Sequence, residues 1–276
     1  MRSEIIIHNI DDHQEQVIFQ TDRLIEAPNW SPDGKFLIVN GDGLIFRLDL
    51  DDPSALHHID TSPIDHCNND HGISPDGTTL VISDSPGRGT SLMYTLPITG
   101  GTPRLVTPNA PSYWHGWSPD GKTLTYTARR DGIFQICTIP VEGGDEAILT
   151  QGTGHRDGPD YTPDGKWIWF NSDHHGDTPE LWRMQTDGSA LERMTNDAFV
   201  NWFPHPSPDG KWVLYLAYPS DTEGHPRDKD VALKLMPPAG GAPKTVAQFN
   251  GGQGTMNVPN WAPDGKSFAY VRYKRP

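Results

Sequence analysis

Ser31-Pro32-Asp33-Gly34, Ser74-Pro75-Asp76-Gly77, Ser118-Pro119-Asp120-Gly121, Thr162-Pro163-Asp164-Gly165, Ser207-Pro208-Asp209-Gly210 and Ala262-Pro263-Asp264-Gly265 are one turn written six times. Their aspartates lie 43, 44, 44, 45 and 55 residues apart. Ser suits the first position of a type I turn, Pro presets φ at the second, and Gly suits the fourth. A run rich in β-branched and aromatic residues follows each turn: Phe36 to Val39, Leu80 to Ser83, Leu124 to Thr127, Trp167 to Phe170, Trp212 to Leu216 and Phe268 to Val271. A period near 44 built this way is that of a four-stranded propeller blade. The expected fold is all-β, a six-bladed β-propeller spanning 1–276 as one domain.

The chain ends fit the same register. Only one strand follows the sixth turn, while two unpaired strands, Glu4 to His8 and Gln16 to Phe19, precede the first blade. Glu4 to Asp12 resembles Leu44 to Asp52, the third strand and turn of the first repeat. The N-terminal strands are therefore expected to complete the last blade, with Glu4 to His8 pairing against Phe268 to Val271. Closure of this kind removes exposed sheet edges.

Composition narrows the function. The net charge is −14, with no basic cluster to offset it, which argues against a nucleic-acid partner. No apolar run of 18 residues exists, so no membrane span is expected. Met1-Arg2-Ser3-Glu4-Ile5 enters a strand without a signal peptide's apolar core, which predicts a cytoplasmic monomer, or a periplasmic one if a leader has been removed. Cys67 and Cys137, the two cysteines, fall in different blades and are not expected to pair.

The turns mark the bottom of the ring, and their aspartates are structural. Residues approaching the innermost strands crowd the top of the channel instead. Five before each turn stand Glu26, Asn69, Tyr113, Asp157, Trp202 and Asn257; three before stand Pro28, His71, His115, Pro159, Pro204 and Pro259. His71 and His115 replace proline at equivalent places in adjacent blades, so they are expected to share a space near the axis. His71, His115, Asp157 and His205 form a plausible ligand set for a divalent metal, Zn, Mn or Ca, with imidazole favouring Zn, Mn, Fe or Ni over Ca. His71, His115 and Asp157 could also serve as acid–base groups. Asp70, Trp114, Arg130, Arg156, Trp202, His225, Gln253, Asn257, Glu26 and Asn69 are candidate ligand contacts, the arginines favouring a small polar or acidic ligand. Each also has a bland role, since polar residues line most wet channels. Two departures from the repeat, the charged stretch Tyr218 to Asp230 and the Gly-rich Phe249 to Asn257, fall on the same top face.

The unit Trp30-Ser31-Pro32-Asp33-Gly34-Lys35 with its following strand resembles the TolB-like, or WD40-like, propeller repeat. Leu181-Trp182-Arg183-Met184, Asp187-Gly188-Ser189 and Leu191 to Thr195 are similar to it, and the resemblance runs through all six turns. Asn201 to Lys211 and Gly251 to Pro259 resemble a subgroup of stand-alone bacterial propellers. The resemblance implies a binding propeller with a protein partner or ligand at the channel top. TolB itself acts in the periplasm with an additional N-terminal domain. The fold also resembles metal-dependent oligogalacturonate lyases, which implies, as an alternative, a carbohydrate-active enzyme of uronate lyase or hydrolase type.

Overall fold

The computed structural model describes residues 1–176 and 178–275. The turn residues build the scaffold's lower rim. In five turns the Ser or Thr hydroxyl donates to the turn aspartate, as from Ser31 Oγ to Asp33 Oδ1 at 2.8 Å and from Thr162 Oγ1 to Asp164 Oδ1 at 2.7 Å. In all six the glycine N–H returns to the first residue's carbonyl, and its φ lies between +68° and +76°. Proline rings of neighbouring turns lie against five of these glycines, Pro263 of the last turn against Gly34 of the first.

Blade 1 is Glu26–Trp30, Phe36–Gly41, Leu44–Asp49 and His57–Ile59 from the inside outward. Blade 2 is Cys67–Ile73, Thr79–Asp84, Leu92–Pro97 and Arg104–Leu105. Blade 3 is Ser112–Trp117, Thr123–Arg130, Ile133–Pro140 and Ala147–Ile148. Blade 4 is Arg156–Tyr161, Trp167–Ser172, Glu180–Gln185 and Glu192–Arg193. Blade 5 is Val200–Pro206, Val213–Tyr218, Lys229–Met236 and Lys244–Gly251. Every sheet is antiparallel, and apolar side chains of the second and third strands pack between blades into the core. No helix occurs among the described residues, and so none is long and apolar enough to cross a membrane.

The last blade closes as expected. Arg2–Asn9 lies between Glu15–Thr21 and Ser267–Lys274, with Ile5 opposite Val271 and His8 opposite Phe268. Its innermost strand is reduced to one bridge, Trp261 to Phe268.

The innermost strands are bulged, and the bulges differ. In blades 1, 4 and 5 two residues oppose one: Ala27-Pro28, Gly158-Pro159 and Phe203-Pro204, with left-handed φ at Ala27, Gly158 and Phe203. Blade 3 inserts only His115, between the pairs Trp114–Tyr126 and Gly116–Thr125. Blade 2 sets Asn68, Asn69 and Asp70 against Ser83 alone. An extra residue reverses the face to which the following side chains point. The same distance from the turn therefore does not give the same direction in every blade.

Candidate functional site

That difference separates the two histidines expected to meet. His115 sits within its bulge and turns into the channel. His71 is back in register opposite Ile82, fully buried, and neither ring nitrogen has a hydrogen-bond partner. Burial lowers its pKa to about 4, against the weaker pull of the backbone at Ile38, Asn68 and Ala27, so the ring is neutral. His71 lies against the backbone of Ala27 and Ile38 in blade 1 and does not line the cavity that His115 borders.

A cavity of about 390 Å3 lies at the channel top. Blade 2 supplies Asn68, Asn69 and Asp70, blade 3 Tyr113, His115, Thr127 and Phe134, and blade 4 Asp157. Phe203 and His225 of blade 5 and Gln253 and Asn257 before blade 6 complete it. A second cavity of about 680 Å3 shares Phe134, Asp157 and His225, and runs outward past Trp202 and Val200.

His115 is held on both sides. Its Nδ1 lies 3.1 Å from the Asn257 carbonyl, which can only accept, and its Nε2 lies 3.1 Å from Asp157 Oδ1. Burial opposes charge on the ring, but the Asp157 bond and the fields of Asp70 and Asp157 outweigh it and raise the His115 pKa. Burial likewise opposes ionisation of Asp157, yet the His115 bond pulls it down to about 2. His115 and Asp157 form a buried ion pair. Asp70 is different. It is 6% exposed, and its carboxyl accepts no hydrogen bond from any described residue. Burial, helped by Asp157 and Glu26 and opposed by His115, pushes it up to about 7.

The proposed metal set does not converge. His205 is bound between Asp160 Oδ2 at 3.0 Å and the Met256 carbonyl at 3.1 Å, one layer below. With His71 enclosed and His115 engaged, no group of three or more His, Cys, Asp or Glu among the described residues is arranged to hold a metal ion. Donors already satisfied by one another leave no lone pairs aimed at a common point.

Several candidate ligand contacts are committed elsewhere. Trp114 is fully buried between blades, against Gly72, where a Cβ would come 2.0 Å from its ring. Arg130 makes a two-point ion pair with Glu146, at 2.7 and 2.6 Å, and also donates to the Pro111 carbonyl. Arg156 borders the outer cavity, but its guanidinium donates to Gln135 and to the carbonyls of Gln151, Gly152 and Gly154. Glu26 pairs with Arg227 and accepts from Asn40. Asn69, Asp70, Asp157, His225, Gln253 and Asn257 do meet at the inner cavity, and Trp202 borders the outer one. Sequence reasoning missed Asn68, Thr127, Phe134 and Phe203. Phe134 opens a third strand and carried only a strand signal, while Asn68 enters because of the wide bulge.

The Gly-rich stretch brings backbone close to protein. Gly252 packs on the Pro226 carbonyl and Gly254 on Glu26 and Tyr273. Gln253 N–H donates to Pro226 at 3.3 Å, its carbonyl accepts from Tyr273 at 3.1 Å, and its side chain binds His225. The two irregular segments interlock above the channel.

The family model described as the TolB β-propeller domain matches residues 1–159 and 109–225. The chain belongs to the TolB β-propeller family. A solved structure from Agrobacterium tumefaciens, presented as a provisional TolB, is 54% identical with a TM-score of 0.97, covering 100% of this chain and 99% of that one. The Tol-Pal system protein TolB of Francisella tularensis is 23% identical over 94% of this chain, which spans only 59% of that protein's length. An oligogalacturonate lyase in complex with manganese is similar at 14% identity and a TM-score of 0.57, covering 83% of this chain and 67% of that one. At that identity the likeness to the lyase is one of fold.

Proposed function

We propose that this TolB-family propeller binds a small polar ligand in the cavity at the top of its channel, beneath the interlocked segments 219–228 and 251–257. The observation that carries this reading is Asp70, a residue only 6% exposed whose carboxyl borders the cavity and accepts no hydrogen bond among the described residues. A buried polar group left unpaired is costly, and such groups cluster where a ligand completes them. The pocket's concave shape, its converging polar lining and the rings of Tyr113, Phe134 and Phe203 support the same reading. The membership of the Francisella relative in a Tol-Pal system supports a second form, in which a protein partner inserts a side chain at this place and the chain works in the periplasm.

The test is a thermal-shift screen of small polar compounds on the native chain and on Gln253→Trp, which fills the cavity. A bound compound at a hundredfold excess over its Kd adds about 2.7 kcal/mol. Hits should stabilise the native chain and lose that effect in Gln253→Trp. Hits that stabilise both proteins equally would place binding elsewhere and overturn the reading.

A further inference from the structure

The chemistry of the inner cavity sorts ligands by charge. The arginines expected to attract an acidic ligand are spent: Arg130 on Glu146, Arg156 on one amide and three carbonyl oxygens, Arg227 on Glu26. His115, held charged by its acceptors, is claimed by Asp157 and the Asn257 carbonyl. His225 is bound by Gln253, with its Nε2 3.7 Å from Asp157. An entering carboxylate or phosphate would find no free donor of charge among the described residues and would face Asp70 and Asp157.

A cation finds the opposite. Asp70 is more than nine-tenths buried, its carboxyl has no hydrogen-bond partner among the described residues, and it lines the cavity. Asp157 borders both cavities, and its Oδ2 is not held by His115 but lies 3.7 Å from His225 Nε2. The walls beside them are aromatic. Tyr113 and Phe134 stand with ring centroids 6.4 Å apart, and Trp202 meets the His225 ring edge-on at 4.4 Å where the cavity widens outward. Carboxylates flanked by aromatic faces attract an organic cation twice over, by charge and by the ring quadrupoles. A bare metal ion is the poorer fit, since no three His, Cys, Asp or Glu side chains among the described residues are grouped to hold one. A net charge of −14 draws cations toward the molecule before they arrive.

We propose that the channel-top cavity is a seat for a small organic monocation, an ammonium with an apolar or aromatic body, whose charged head lies against Asp70 and Asp157 and whose body extends past Phe134 toward Trp202. This rests on the reading that the cavity binds a ligand at all, and it assigns the class of that ligand. A protonated amine carries up to three N–H donors, enough for Asp70 and a neighbouring amide oxygen of Asn69 or Gln253.

The experiment is titration calorimetry at pH 8 with three probes of one shape: 2-phenylethylamine, 2-phenylethanol and 3-phenylpropanoate. The amine should bind at least tenfold more tightly than the alcohol, and the carboxylate should not bind. Asp70→Asn should remove that tenfold preference while leaving the alcohol unchanged, and Asp70→Glu should keep most of it. Added NaCl should weaken only the amine. Equal binding of all three, preference for the carboxylate, an amine that does not bind at millimolar concentration, or an amine preference that survives in Asp70→Asn would each overturn the cation assignment. The broader reading falls separately, if neither these probes nor any hit of the polar screen is lost in Gln253→Trp.

Discussion

Asp70 is placed where ionisation of its carboxyl opposes folding. A carboxyl whose pKa stands near 7 in the native state, against an ordinary 3.8, binds its proton more tightly when folded than when unfolded. Stability is therefore unaffected by it at pH below about 4, declines as pH rises from there to 7, and is lowest above 7. The full penalty is on the order of 4 kcal/mol. Asp70→Asn keeps the shape and discards the charge, so its melting temperature should exceed that of the native chain at pH 8.5 and match it at pH 4. A variant no more stable than the parent at pH 8.5 would mean that the carboxylate finds a partner in solution. Penalties of this kind are tolerated where function uses the group. At this scale the sequence was legible in part. Asp70, Asp157, Gln253 and Asn257 could be placed at the channel mouth by counting back from the turns. The count could not say that Arg130 has Glu146 beside it, because that partner lies 16 residues away across a hairpin.

At the scale of the strand, ring closure depends on Arg2–Asn9 joining two ends of the chain. Glu4 in that strand is fully buried, and accepts from Arg272 at 2.6 and 3.0 Å, from Lys274 at 2.7 Å and from Gln20 at 3.0 Å. One carboxylate thus ties all three regular strands of the last blade. Glu4→Ala leaves Arg272 and Lys274 without their counter-charge, and should cost about 3 kcal/mol, the lower end for a broken buried pair because both cations can turn toward water. Urea unfolding measures this. A loss below about 0.5 kcal/mol would assign closure to the apolar packing of Ile5 and Ile6 alone. Closure was legible because Glu4 to Asp12 repeats a third-strand pattern that the sixth turn lacks. The bulges were not. Whether one residue or three are accommodated against Ser83 is settled by pairing across the blade, and nothing local to Asn68-Asn69-Asp70 announces it. This is why His71 and His115, alike in sequence position, end on opposite sides of their strands.

Across the whole molecule, the segment 219–228 of blade 5 acts as a staple over the channel. Arg227 reaches Glu26 of blade 1, His225 reaches Gln253 and Asp157, and Asp228 accepts from Arg275 at 2.8 Å. These contacts join blades 1, 4, 5 and 6 at the top, independently of the strand closure in the last blade. Most are side-chain contacts at partly exposed positions, so the staple should open far more easily than the blades beneath it. Arg227→Ala removes the contact to blade 1, and it also frees Glu26 beside Gly254, whose backbone is close enough that a Cβ would lie 2.6 Å from the Glu26 side chain. Amide hydrogen exchange over 219–228 and 251–257 should then quicken by about tenfold, a local cost near 1.4 kcal/mol. Exchange in the central strands Phe36–Gly41 and Val213–Tyr218 should stay unchanged, since their bonds open only with the whole ring. Faster exchange in both regions would mean that the staple carries global stability, and no change in either would mean that the Gly-rich segment holds the cover without Arg227. A ligand seated beneath the cover should reverse the effect of the substitution, because it can leave only when the cover opens, and the exchange rate of 219–228 with and without the ammonium probe reads that coupling directly.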